Sequence, residues 1–144
     1  MPNTTSNVVL YATLAARYPV INIATATAAN TKTLLITATS TGTIVTDVLW
    51  RTSNAGAATW NVIVCATGSQ ATAENARVMV SIPATSGNNG SVAIASLAAL
   101  MPSLFDIDLA GNRVITLESG QSIYVENIAI TSGFNYITAK ARDY

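Results

Sequence analysis

Short runs rich in Thr, Val, Ile and aromatic residues recur along this chain, each closed by a cluster of Gly, Ser, Asn or Pro. β-Branched and aromatic side chains suit a pleated, half-buried surface, so these runs predict strands. The first secure run spans residues 18–24, where Pro19 has no N–H to donate and confines it to a sheet edge or a strand beginning. Residues 31–39 follow and end at Ser40-Thr41-Gly42, because Gly supplies the positive φ that a tight reversal needs. Residues 43–52 come straight after, which predicts a hairpin. Loop residues 53–57 and the run 59–67 repeat the pattern as a second hairpin, with Trp50 and Trp60 flanking the loop almost symmetrically. Either the two indoles pair across the strands or they are independent core aromatics.

Beyond a polar loop at 68–75, residues 77–82 predict a strand that Pro83 terminates. The Asn- and Gly-rich stretch 85–90 is the strongest turn, and residues 91–94 are expected to pair back. One helix is predicted at 95–100, with Ser96 as its N-cap and Pro102 as its stop, covering one end of the sheets. Strands at 113–117, 122–130 and 134–141 complete the chain, with turns at 118–121 and 131–133. Many short strands at such regular spacing predict an all-β antiparallel sandwich or barrel with one short helix. Runs such as Leu34-Leu35-Ile36 and Val62-Ile63-Val64 are continuous rather than alternating, which implies faces covered by the opposing sheet within and a neighbour without. An oligomer is therefore expected.

Composition sharpens that picture. Only 10% of the 144 residues are charged and the formal net charge is +0, against about 25% charged in an ordinary soluble domain. Ala, Thr and Ser take the place of charge, and such side chains suit flat β faces and contacts between subunits. No run of Lys or Arg exists to track phosphates, so nucleic acid is excluded as the main partner. No stretch reaches the roughly 18 apolar residues of a membrane span. The apolar residues 8–16 lack the cationic flank of a secretory signal, which predicts synthesis in the cytosol.

Candidate chemistry is sparse. The chain has no His, which removes Ser/His/Asp and Cys/His nucleophilic sets and Cys/His zinc sites. Cys65, the single cysteine, lies in an apolar run and reads as a small buried hydrophobe. Residues 106–112 open with D-x-D and carry Gly at the sixth position of a calcium loop, but Ala110 occupies the fifth and Leu117 the twelfth, so a tight Asp/Gly/Asn turn is expected. Asp106, Asp108, Glu118 and Glu126 are the carboxylates available for glycoside hydrolysis, in a chain with two Trp, five Tyr and two Phe to line a cleft. No catalytic residue, cofactor or metal is assigned, and the chain reads as a non-enzyme.

The succession Ala29-Asn30-Thr31-Lys32-Thr33-Leu34-Leu35, Gly42, Val48-Leu49-Trp50, Val80-Ser81-Ile82-Pro83-Ala84, Leu97-Ala98-Ala99-Leu100-Met101-Pro102 and Leu117-Glu118-Ser119-Gly120-Gln121-Ser122-Ile123 resembles small accessory virion proteins of tailed bacteriophages. The resemblance covers roughly residues 28–144. It implies a jelly-roll-like β-sandwich that serves as a cement or decoration subunit on the capsid, self-associated, with threefold symmetry preferred, and bound to the major capsid protein. Others of this shape serve in necks, tails or baseplates, and that alternative stays open. A rival from another class is a carbohydrate- or receptor-binding module, whose sugar platform would draw on Trp50, Trp60, Tyr124 and Tyr136. Residues 1–17 stand apart from the domain at 18–144. Their apolar positions Val8, Leu10, Tyr11 and Leu14 are candidate partner-binding residues, on an arm crossing to a neighbour or the shell or on an extra edge strand.

Overall fold

The computed structural model describes residues 15–66, 74–88 and 92–143. Val8, Leu10, Tyr11 and Leu14 lie outside the described residues. In chain order the strands are β1 (Ala15–Arg17), β2 (Val20–Ile23), β3 (Thr31–Thr37), β4 (Thr43–Thr52), β5 (Ala58–Cys65), β6 (Glu74–Ile82), β7 (Ala95–Ser96), β8 (Asp106–Ile107), β9 (Arg113–Leu117), β10 (Ser122–Asn127) and β11 (Asn135–Asp143). They form two antiparallel sheets. The first has the central order β2-β11-β4-β9 with β1, β7 and β8 added at its margins, and the second runs β3-β10-β5-β6. The chain crosses between the sheets at β2–β3, β3–β4, β4–β5, β6–β7, β9–β10 and β10–β11, the wiring of an antiparallel β-sandwich.

That wiring corrects the two hairpins expected from the sequence. Among the described strands only β5–β6 and β8–β9 are both consecutive and hydrogen-bonded neighbours. β3 gives its ladder to β10, and β4 gives its ladder to β11, β9 and β7. Gly42, with φ 106°, carries the chain over the rim from one sheet to the other, and the Gly42 N–H donates to the Thr39 carbonyl at 3.1 Å. A turn signal reports that the chain reverses; it does not report whether the returning strand stays in the same sheet. Trp50 and Trp60 consequently meet across the interior rather than along a hairpin, with ring centroids 6.2 Å apart and planes at 56°. They sit in one cluster with Val45, Val48, Ile137, Leu35, Ile36, Val62, Ile123 and Val125.

β1 and β2 lie end to end along the same side of β11, Ala15 opposite Asp143 and Ile23 opposite Asn135. Tyr18 and Pro19 interrupt them, yet the Pro19 carbonyl accepts from the Ala139 N–H at 3.0 Å, as an edge proline allows. Residues 15–17 are thus an edge strand of this domain, anchored by Arg17 Nε to Asp143 Oδ2 at 3.0 Å.

Residues 92–94 do not form the expected strand; their carbonyls at Val92 and Ala93 accept from the Gly87 N–H, and Ala95-Ser96 pairs with β4 instead. Helix α1 (Leu97–Leu100) begins as its sequence dictates, the Ser96 hydroxyl accepting from the Ala99 N–H. Asp47 of β4 fixes it to the sheet: its Oδ2 accepts from the Ser96 hydroxyl at 2.6 Å and its Oδ1 from the Ala98 N–H at 3.0 Å. The helix lies against β4 and β6, closing a side of the sandwich with buried Leu97.

The continuous apolar runs have two local causes. Between β3 and β10 the register shifts, leaving Leu35 as an extra residue, so Leu35 and Ile36 both face the core while Leu34 is exposed. In β5, Val62 and Val64 face inward, and Ile63 and Cys65 form a second cluster with Tyr124 on the outer side, buried within the chain itself.

Candidate interaction surfaces

The outer face of the second sheet follows from its register. Lys32, Glu126, Asn61 and Met79 form one row across β3, β10, β5 and β6; Leu34, Tyr124, Ile63 and Arg77 form the next. Glu126, 5% exposed, is satisfied by Arg77 Nη1 at 2.7 Å and by the Asn61 amide at 2.8 Å, both on Oε2. Arg77 also grips both oxygens of Glu74, and Lys32 Nζ approaches Glu74 Oε1 at 3.6 Å. Hydrogen bonding to Arg77 holds the Glu74 carboxyl below its ordinary value. The Arg77 guanidinium is in turn raised, chiefly by Glu74 and then by Glu126. Replacing Arg77 with Met leaves the buried carboxylate of Glu126 with Asn61 alone. A loss of about 1–3 kcal/mol is expected, discounted because Arg77 itself is partly solvated. Urea unfolding measures it, and a change below about 0.5 kcal/mol would mean that solvent replaces the guanidinium.

Cys65 belongs to the apolar trio beneath this network. Burial pushes its thiol up, Glu74 adds to the rise, and Lys32 and Arg77 oppose it. A neutral, covered thiol is a poor nucleophile. The native protein is therefore expected to leave a disulfide reagent such as DTNB unreacted until denaturant is added; prompt stoichiometric labelling of the folded chain would contradict this placement.

The four carboxylates singled out for hydrolysis do not converge. Glu126 faces out from the second sheet, whereas Asp106 and Asp108 belong to β8 and its loop on the first sheet, and Glu118 sits in the β9–β10 turn. The proposed sugar platform is also dispersed. Trp50 and Trp60 are interior, Tyr124 is in the covered trio, and Tyr136 lies under the Arg51 guanidinium, 4.7 Å from its ring centre, beside Phe134.

The outer face of the first sheet carries a groove of about 720 Å³. Ile44 and Thr46 of β4 and Val114 of β9 form its floor, Arg113 and Arg142 flank it, and the β8–β9 loop walls it. That loop is the Asp/Gly/Asn turn expected from the sequence. Asp108 Oδ1 accepts from the Ala110 N–H at 2.9 Å and the Asn112 N–H at 2.8 Å, Oδ2 accepts from the Asn112 amide, and Gly111 turns at φ 85°. At its tip Leu109 is fully exposed, and Ile107 beside it is 63% exposed. The sequence reading passed over both; the available signal was an apolar residue set between turn formers, where solvent exposure is forced.

The Asn112 N–H, ahead of the Asn112 amide and the Ala110 N–H, holds the Asp108 carboxyl below its ordinary value. Because the folded value is depressed, this contribution to loop order is present above the ordinary aspartate pKa and is lost as pH falls through the lowered one. In an NMR acid titration the Ala110 and Asn112 amide resonances should shift together with a midpoint below about 3.9. A midpoint above that value would show that these donors do not bind the carboxylate.

One end of the sandwich is polar. Asn127 donates to the Ala28 carbonyl at 2.7 Å and the Ala129 carbonyl at 2.9 Å, and the Thr131 hydroxyl to the Ala24 carbonyl at 2.6 Å, tying the loop at 24–30 to the loop at 128–134. A cavity of about 320 Å³ opens there between Asn54, residues 56–60 and residues 127–132. Among the described residues no cluster of His, Cys, Asp and Glu is arranged to hold a metal ion. No helix of the described residues is long and apolar enough to cross a membrane. The chain matches no protein-family model, and no curated protein sequence is significantly similar to it.

Proposed function

We propose that this chain is a structural virion protein, a cement or decoration subunit that stabilises a phage head by protein–protein contact. The single observation that supports the reading most is the surface. Tyr18, Val20, Leu34, Met79, Ile94, Leu109 and Ile130 are all more than 40% exposed on a chain with only 10% charged residues. A surface so short of ions gives up little hydration when it docks, and its apolar side chains gain about 25 cal/mol per Å² covered, before ordering costs. The two antiparallel sheets agree with the β-sandwich part of the fold that the family resemblance implies. Binding as a homo-oligomer, with threefold symmetry preferred, multiplies a weak contact with the major capsid protein.

The test is addition of purified protein to capsids that lack it. Saturable binding with a rise in thermal or osmotic resistance is expected; no binding at micromolar concentration would overturn the cement reading. Binding to isolated tails or necks and not to heads would move the protein to the alternative place on the particle.

A further inference from the structure

We propose that the groove on the outer face of the first sheet, with the Leu109 loop at its rim, is a two-fold contact between two copies of this chain. The loop is locked before any partner arrives: besides the bonds to the Asp108 carboxylate, the Asp108 N–H donates to the Asn112 carbonyl at 2.9 Å and the Gly111 N–H to the Asp108 carbonyl at 3.0 Å. An apolar side chain held in water on a rigid support surrenders little freedom when it docks. Leu109 is such a knob, and the groove floored by Ile44, Thr46 and Val114 is a socket of ample size for it. Asp108, Gly111 and Asn112 line that same groove, so knob and socket occupy one patch. A patch that carries both is self-complementary about a two-fold axis, each copy filling the other's groove.

Charge selects the occupant. Arg17 pairs with Asp143, Arg77 pairs with Glu74 and Glu126, and Arg51 lies over Phe134 and Tyr136. Arg113 reaches only the Ala98 carbonyl, and Arg142 has no carboxylate partner among the described residues. Asp106, exposed on β8, forms no ion pair within the described residues either. Arg113 and Arg142 line the groove and Asp106 is the register partner of Val114 in its floor, so charges of both signs lie beside one patch. A uniformly acidic partner would meet Asp106 and Asp108 as well as the arginines, whereas a second copy brings its own Asp106 as a counter-charge for Arg142.

The proposal rests on the self-association part of the reading above, its two-fold axis being distinct from the threefold one preferred there, and on nothing about capsids. Sedimentation equilibrium of the full chain across the micromolar range tests it. Leu109→Asp is expected to weaken the two-fold contact by about 100-fold or more, because each dimer loses the anchor twice, with an unchanged circular dichroism spectrum. Asp106→Arg and Arg142→Asp should each weaken it singly, and the double variant should recover it. A wild-type chain that stays monomeric overturns both the contact and the self-association reading. Association that Leu109→Asp leaves intact, or a double variant that fails to recover, overturns this surface while leaving self-association in place.

Discussion

Trp60→Ala should lower the free energy of unfolding by about 3–5 kcal/mol, the upper range for truncation of a buried side chain. The indole is 1% exposed and projects from β5 into the space between the sheets, where its ring meets that of Trp50 at 6.2 Å. Truncation removes its transfer free energy and opens a void that strands of two different sheets border. A ladder-bonded strand cannot shift inward to close such a void without breaking its register, so little of it collapses. The tilted aromatic pair adds about 0.5–1.5 kcal/mol beyond area. Urea unfolding followed by far-UV circular dichroism gives the value, with Trp60→Phe as the companion variant, which keeps most of the volume and should lose well under half as much. A loss below about 1.5 kcal/mol for the Ala variant would mean that the sheets do relax over the gap.

Gly133→Ala should cost about 2–4 kcal/mol, and Gly120→Ala only about 1–2. Both glycines have left-handed backbone, φ 70° and 81°, and both lie in connections that carry the chain between sheets, so the conformational penalty on an L-residue is shared. They differ in space. A Cβ on Gly120 meets nothing within 4 Å, whereas one on Gly133 runs into the Ser53 hydroxyl and comes within 3.1 Å of Asn54 Oδ1. Ser53 cannot simply swing aside, because its hydroxyl accepts from the Phe134 N–H at 3.0 Å and its N–H donates to the Phe134 carbonyl at 3.1 Å. The difference between the two variants isolates the steric part. Equal losses would show that the two loops part without penalty.

Strand positions were legible because β-branched runs and their Gly or Pro stops are local properties. The bounds of β4 (Thr43–Thr52) and β9 (Arg113–Leu117) and the Ser96 cap match the sequence expectation. Pairing was not legible. Ser40-Thr41-Gly42 looks the same whether the chain folds back on itself or steps to the facing sheet, and only long-range hydrogen bonds decide it. The bulge at Leu35 was hidden for the same reason: an extra residue makes an apolar run continuous without any second cover. Among the surface features, the low charge pointed to contact in general, but no spacing along the chain brings Ile44, Val114 and Arg142 together. Their meeting is a product of the order β11-β4-β9.

β11 spans the last described residues and yet lies in the middle of the first sheet, bonded to β1 and β2 on one side and to β4 on the other. Its hydrogen bonds link residue 15 to residue 143 and residue 52 to residue 135. During synthesis β1 and β2 therefore leave the ribosome without a sheet partner, and β4 keeps one edge open, until residues 135–143 emerge. Such high contact order makes folding slow. The nascent chain is then most exposed to aggregation, and to chaperones that bind open strand edges, just before residues 135–143 become available.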